Sequence, residues 1–137
     1  MLMQPKKTKY RKYYKPRVLP KASSQTQNLG PFSSLNLVAL ESAYLNGRQI
    51  EAARQGIRRK LKRRGRLKIL MLPDIGISNK SSGARMGKGK GKVSHWVGAL
   101  ASGRTIFQLT GISLKEGIPA LQCGANKLPL KLKICQQ

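Results

Sequence analysis

Apolar positions recur at helical spacing in the middle of the chain. Residues three and four positions apart form one apolar stripe, which consists of Ile50, Ala53, Ile57 and Leu61. Asn46 suits the N-cap of such a helix, and Gln49 can return a hydrogen bond as its capping-box partner. Gly65 is expected to end the helix. The pattern therefore predicts one amphipathic helix that begins after Asn46.

Short apolar or alternating runs predict strands on both sides of this helix. The runs are residues 35–40, 66–72, 93–100, 105–109 and 130–135. Pro73 ends the second run, and the turn residues 101–104 favour a hairpin between the third and the fourth.

A second helix is expected near the C-terminus, where apolar residues recur at helical spacing over residues 114–128. Gly117, Pro119 and Gly124 weaken this helix, so its start is expected to be irregular. Helices and strands that intermix around one sheet indicate an α+β fold. A length of 137 residues suits a single domain.

The first 20 residues have a different composition and are expected to form an extended basic arm. Pro5, Pro16 and Pro20 interrupt any helix, and residues 21–33 read as a polar linker or loop. A solvated, disordered tail is the simplest alternative. Tyrosines between cations favour RNA instead, because aromatic rings stack on unpaired bases. The arm's tyrosines are Tyr10, Tyr13 and Tyr14, and its cations are Lys6, Lys7, Lys9, Arg11, Lys12, Lys15 and Arg17.

The charge of the chain requires a polyanionic partner. Lys and Arg total 28 against four acids, which gives a formal net charge of +24. A free domain with this imbalance repels itself. A membrane surface is the other common polyanion, but no stretch approaches the roughly 20 apolar residues of a membrane-spanning helix. No signal-peptide core follows the basic N-terminus, so secretion is not expected.

The central helix concentrates this charge on one face. Nine basic residues and no acid lie from Arg54 to Lys68. Solvated helices normally mix signs, because like charges at i,i+4 are destabilising. A solvated face is the alternative, but the pattern favours contact with RNA. The candidate rRNA-binding residues here are Arg48, Arg54, Arg58, Arg59, Lys62, Arg63 and Arg64.

A long loop over residues 74–92 carries the most informative short motif. Its end alternates glycine and lysine, through Arg85, Met86, Gly87, Lys88, Gly89, Lys90, Gly91 and Lys92. Glycine gives the backbone access to positive φ, and a cation at every second position suits a phosphate surface. The spacing matches neither the P-loop nor the dinucleotide-binding pattern.

No constellation for catalysis or for a metal is found. The single histidine, His95, could pair only with Asp74, and no nucleophile motif surrounds any serine. Cys123 and Cys135 are expected to be reduced thiols, and with His95 they offer three zinc ligands at unsuitable spacing. Trp96 is expected to pack in the core beside the loop, while His95 could contact RNA or simply face solvent. We therefore expect no enzyme, no cofactor and no metal.

Three segments in order carry a family resemblance: Met3 to Lys12, Arg48 to Arg54, and Arg85 to Gly91. With them the chain resembles the bacterial-type L16p family of large-subunit ribosomal proteins, related to the archaeal and eukaryotic L10e proteins, over nearly its whole length. The resemblance implies an α+β sandwich of a mainly antiparallel sheet with two helices, docked on large-subunit rRNA near the aminoacyl-tRNA site. It implies roles in late subunit assembly and tRNA placement.

The resemblance also assigns the parts of the chain. An arm at residues 1–20 would thread into rRNA, and a single rRNA-binding domain would follow at 21–137. The loop ending in Arg85 to Lys92 would point toward the tRNA-binding and peptidyl-transferase region. Arg85 would be equivalent to an arginine that is hydroxylated in some bacterial relatives. The implied partners are large-subunit rRNA, aminoacyl-site tRNA and neighbouring large-subunit proteins, with no membrane and no homo-oligomer.

Departures from the family concern residues 21–45 and the glycine and proline of the C-terminal helix, and they suggest a divergent lineage. A family-like start without a cleavable presequence favours a mitochondrial ribosome over a plastid or bacterial one. Two alternatives to a ribosomal role remain. One is a sequence-independent cationic nucleic-acid-binding or membrane-active protein, and the other is an enzyme.

Overall fold

Seven strands and two helices lie in the part of the chain that the computed structural model describes, which comprises residues 4–12, 14–17, 19 and 34–136. The expected linker 21–33 and Tyr13 lie outside it. In chain order the elements are β1 (Ser34–Ala39), β2 (Ala43–Asn46), α1 (Gly47–Lys60), β3 (Arg66–Ile69), β4 (Ile75–Asn79), β5 (Lys92–Leu100), β6 (Thr105–Thr110), α2 (Leu114–Ala125) and β7 (Leu132–Gln136).

The strands form two antiparallel sheets, in the orders β3-β6-β1-β7 and β2-β5-β4. The helix α2 lies against β1 and β7 of the four-stranded sheet, α1 contacts β2 and β5 of the three-stranded sheet, and the two helices pack on each other. The α+β class is confirmed. The expectation of one sheet is wrong, because the strands are divided between two.

The turn at 101–104 does not close a hairpin, contrary to the expectation from its sequence. It joins β5 of one sheet to β6 of the other. Its backbone is held by the end of β1, because Gly103 N donates to Ala39 O (2.7 Å) and Ala39 N donates to Arg104 O (3.0 Å). Gly103 has a φ of 82°, which suits glycine. The turn residues were recognised correctly, but their partner is β1, from a distant part of the chain.

The helix α1 begins as its sequence predicts. The Asn46 side chain accepts a hydrogen bond at the first turn, and Gln49 Oε1 accepts one from Asn46 N (3.0 Å). The whole predicted apolar stripe is buried. Burial of this stripe against α2 and the sheets stabilises the helix far more than its highly charged sequence could alone.

The end of α1 comes earlier than predicted. The last helical residue is Lys60, and Lys62 and Arg63 take left-handed conformations with φ of 48° and 68°. Lys62 N donates to Arg59 O and Arg63 N donates to Arg58 O. These are the two hydrogen bonds of a Schellman cap. The cap uses a lysine where glycine is usual, at a conformational cost of about 1–2 kcal/mol per residue.

The helix α2 is continuous from Leu114 to Ala125, with Pro119 inside it, so the expected irregular start is wrong. Its glycines are explained by packing. A Cβ on Gly117 would collide with Leu35 Cδ1, and one on Gly124 would lie 2.5 Å from Ile57 Cγ1. Both glycines allow α2 to approach its neighbours closely, which outweighs their low helix propensity.

Gly124→Ala is expected to lower the free energy of unfolding by about 1–2 kcal/mol. The added methyl group overpacks the helix interface against Ile57, which is fully buried and cannot move aside. The matched control is Gly56→Ala on the facing helix, where the nearest atom would be 3.6 Å away. That change should be neutral or stabilising. Urea unfolding checks both, and equal effects would contradict this packing explanation.

The strands β2 and β4 had no counterpart in the sequence prediction. They have four and five residues, too few to show a period. β4 pairs with β5 from Ile75 opposite Val97 to Asn79 opposite Lys92. The predicted loop 74–92 is therefore shorter, because its first part is a strand. The loop proper comprises residues 80–91.

Candidate nucleic-acid interface

The basic arm is attached to the domain through β2. Tyr44 Oη donates to Pro16 O (2.9 Å), and Lys15 Nζ lies 4.4 Å from the centre of the Tyr44 ring. Described arm residues belong to neither a helix nor a strand, as predicted, and all the arm cations proposed to bind rRNA are exposed. Sequence reasoning missed Tyr44, because it lies on a strand that gave no recognisable pattern.

The cations of the loop 80–91 have exposed side chains. Gly87 and Gly89 have φ of 91° and 67°, so the prediction that these glycines provide positive φ is confirmed. A Cβ on either would meet nothing within 4 Å. The lysine side chains of the Gly/Lys stretch are all exposed, and among the described residues Met86, at 95%, is the most exposed large apolar residue. This backbone could press closely against a crowded surface.

The arm and the loop, which sequence reasoning treated separately, meet in the structure. Lys12 Nζ donates a hydrogen bond to Lys90 O (2.8 Å). Lys90 Nζ in turn lies 4.5 Å from the centre of the Tyr14 ring. Two cations and one aromatic ring from segments 78 residues apart in sequence thus share one surface. Together with the neighbouring described residues, we call it the arm–loop surface (residues 12, 14–16, 44 and 88–92).

A second cationic site is built by the C-terminal cap of α1. Four side chains surround an open hollow of about 370 Å³: Arg58, Arg59, Lys62 and Arg63. The left-handed conformations of the last two turn the chain back, so that residues after the helix face the same hollow as its last turn. All four were predicted rRNA-binding residues, and the structure brings them together. We call this group the α1 cluster.

Arg54 differs from the other helix cations because an acid already binds it. Its Nε and Nη2 donate to the two carboxylate oxygens of Glu51, at 2.9 and 2.5 Å. These bonds, against the opposing effect of burial, lower the pKa of Glu51, and the same pairing raises the pKa of Arg54. The role of Arg54 in rRNA binding stays a prediction, and its bidentate donor pair is occupied within the helix.

The remaining candidates on α1 and the other acids lie at the surface. Arg48 is exposed at the start of the helix. Arg64 Nη1 lies 3.3 Å from Glu116 Oε1, and Lys131 Nζ lies 3.5 Å from Glu41 Oε1. These pairs are more than half exposed, so each contributes about 0–1 kcal/mol and leaves its cation able to bind another anion.

The residues considered for chemistry remain apart. His95 is exposed on β5, and Trp96 is half-buried beside Gly76 and outside the core cluster, so its predicted core position is wrong. Cys123 and Cys135 are free thiols, as expected. Within residues 4–12, 14–17, 19 and 34–136, no three His, Cys, Asp or Glu side chains are grouped as metal ligands. Over the same ranges, no helix has the length and apolarity needed to cross a bilayer.

The fold and its two cationic surfaces define a small α+β protein suited to a polyanion. The family model of ribosomal protein L16p/L10e matches residues 5–135. The large ribosomal subunit protein uL16 of Erythrobacter litoralis (strain HTCC2594) is 44% identical over 133 residues, which are 97% of this chain and 91% of that protein. The chain belongs to the ribosomal protein L16p/L10e family, as its motifs predicted.

Proposed function

We propose that this ribosomal protein is a structural constituent of the large ribosomal subunit and binds large-subunit rRNA near the aminoacyl-tRNA site. Its family membership and its similarity to a large-subunit protein support the first part. The same membership supports the expectation that it is not an enzyme. Its remaining partners would be aminoacyl-site tRNA and neighbouring large-subunit proteins.

The arm–loop surface is the observation that carries the rRNA-binding part. It combines cations with an exposed aromatic ring, and no acid occurs in residues 4–17 or 80–92. Phosphate binding needs the first feature, and recognition of unpaired bases needs the second. A solvated surface needs neither, and it would normally carry charges of both signs.

We assign different roles to the two cationic surfaces. The α1 cluster would hold the domain and its arm on rRNA, because four cations around one hollow suit a bent phosphate backbone. The loop would support tRNA placement, since its alternating glycines leave it narrow and its lysine side chains are exposed. Late assembly would depend on the α1 cluster more than on the loop. The division of the chain into an arm at 1–20 and a domain at 21–137 belongs to this proposal.

The cellular location is supported only as far as the ribosome. The relative from Erythrobacter litoralis is bacterial, so the comparison gives no support to the expected mitochondrial ribosome. That origin stays a prediction beside the plastid and bacterial alternatives.

The proposal is tested by salt-dependent binding of the purified chain to large-subunit rRNA fragments and to unrelated RNA of equal length. The logarithm of the affinity should fall with that of salt by about 0.7–0.9 for every phosphate neutralised. At moderate salt the chain should prefer the ribosomal fragment, and tagged chain should stay with large subunits in a high-salt gradient. Equal affinity for both RNAs, with loss from subunits, would favour a sequence-independent cationic protein instead.

A further inference from the structure

We propose that Tyr14 and Lys90 together form a stacking site for one unpaired RNA base, with the base on the face of the Tyr14 ring opposite the lysine. The inference rests on the proposed RNA-binding function and specifies it further. It assigns a class of ligand, a single-stranded nucleotide, to a particular place on the arm–loop surface.

The first argument is the exposure of the Tyr14 ring. The Tyr14 side chain is 91% exposed, although Lys90 Nζ lies only 4.5 Å from its centre. One face is therefore covered by an ammonium group, and the rest of the ring is open to solvent. A flat, exposed aromatic face is the surface on which unpaired bases stack. A ring that is so exposed contributes little to the stability of the fold, because little of its apolar surface is buried.

The second argument is that the arm is held to the domain and the loop on both sides of Tyr14. On one side, Lys12 Nζ donates to Lys90 O, which ties the arm to the loop. On the other side, Tyr44 fixes Pro16 through a hydrogen bond and holds Lys15 against its own ring. Tyr44 is thus a positioning residue. Fixing the arm before binding reduces the entropy that is lost when RNA orders it.

The third argument is the charge around the ring. Lys12 and Lys15 lie within two residues of Tyr14 in the sequence, Lys88 and Lys92 lie two residues from Lys90, and all four are exposed. A stacked base brings its own phosphates with it, and these cations can neutralise them on either side. Tyr10 provides an internal comparison, because it is also exposed, but the cation over its ring is its neighbour Lys9 at 5.6 Å.

The test uses the full chain with two probes, a single-stranded RNA of about 16 adenosines and a duplex of the same length. Tyr14→Leu should weaken binding to the single strand by about fivefold to 150-fold, which is the range for stacking of one base on an aromatic ring. It should change duplex binding by less than about twofold, because paired bases are not available to stack. Tyr14→Phe keeps the ring and should bind the single strand like the unchanged chain. Tyr10→Leu should have less effect than Tyr14→Leu.

A matched pair of lysines tests the role of Lys90. Lys88→Gln and Lys90→Gln each remove one cation from the same repeat, so both should reduce the salt dependence equally. Only Lys90→Gln should further weaken single-strand binding, and this difference should vanish when Tyr14 is already leucine. Equal effects of the two lysines in the unchanged chain, or equal loss on both probes for Tyr14→Leu, would overturn the stacking site.

The outcome is separable from that of the proposed function. A chain that binds the adenosine strand through Tyr14 but shows no preference for large-subunit rRNA would contradict the proposed function and support the stacking site. A chain that prefers large-subunit rRNA, but whose affinity for the single strand is unchanged by Tyr14→Leu, would support the proposed function and contradict the stacking site. Circular dichroism of each variant confirms that this exposed site has been changed without unfolding the domain.

Discussion

Replacing Gly91 with alanine is expected to displace the loop 80–91 and to weaken RNA binding about tenfold or more. A Cβ at this position would collide with Asn79 O and would lie 2.6 Å from the Asn79 carbonyl carbon. Both atoms belong to the backbone of β4, so no side-chain rotation relieves the contact. The end of the β4–β5 pair must separate, and the loop lysines then have to be ordered by the RNA at a cost in affinity.

Two other glycines of this loop serve as graded controls. Gly83→Ala meets open space and should change little. Gly89→Ala also meets open space, but its φ of 67° makes any side chain there cost about 1–2 kcal/mol locally. Hydrogen exchange should therefore show lost protection near Asn79 in the order Gly91, Gly89, Gly83. If Gly91→Ala retained full protection and affinity, the close approach would have no role in shaping the loop.

Local signals in the sequence were sufficient to locate both helices and the start of α1. The cap formed by Asn46 and Gln49 depends on residues three positions apart, and the stripe of α1 depends on spacing within one segment. Strand partners depend on residues far away in the chain. The turn at 101–104 has the composition of a hairpin, yet Ala39 supplies its hydrogen bonds. Composition alone could not reveal that contact.

The candidate nucleic-acid interface was likewise predictable only in part. Clusters of charge identified the arm, the helix face and the loop, since unbalanced charge is visible in any window of the sequence. Two features required the fold. Glu51 precedes Arg54 by three residues, and only the structure shows that its carboxylate accepts hydrogen bonds from two of the guanidinium nitrogens. The contact of Tyr14 with Lys90 joins segments whose proximity no local pattern encodes.

The acid-free stretch from Arg54 to Lys68 creates a conflict between stability and binding, and this conflict can be measured. Like charges one turn apart on a helix destabilise it by about 0.2–0.5 kcal/mol per pair. The left-handed Lys62 and Arg63 add conformational strain. Such costs are reasonable where the same residues bind a polyanion, because the partner removes the repulsion. Removing these charges should therefore stabilise the free protein while harming its function.

Replacing all four residues of the α1 cluster with glutamine is expected to block incorporation of the protein into large subunits. The four residues are Arg58, Arg59, Lys62 and Arg63. The salt dependence of rRNA binding should fall by about three, since each lost phosphate contact contributes about 0.7–0.9 to the slope. The free energy of unfolding of the free chain should stay the same or rise. Arg54→Gln is the control, because it removes a cation that Glu51 already binds and should alter the slope least.

Changing Lys88, Lys90 and Lys92 to alanine provides the contrasting variant. It removes three cations from the Gly/Lys stretch, and we expect subunits to assemble but to handle aminoacyl-site tRNA poorly. Gradient sedimentation measures assembly, and tRNA binding to isolated subunits measures the second step. Because both variants lower the net charge by similar amounts, a purely electrostatic role would give similar defects in both assays. Equal defects would refute the assignment of different roles to the two groups of cations. If the first variant fails mainly in assembly and the second mainly in tRNA binding, then the position of the cations, and not their total charge, determines what each group does.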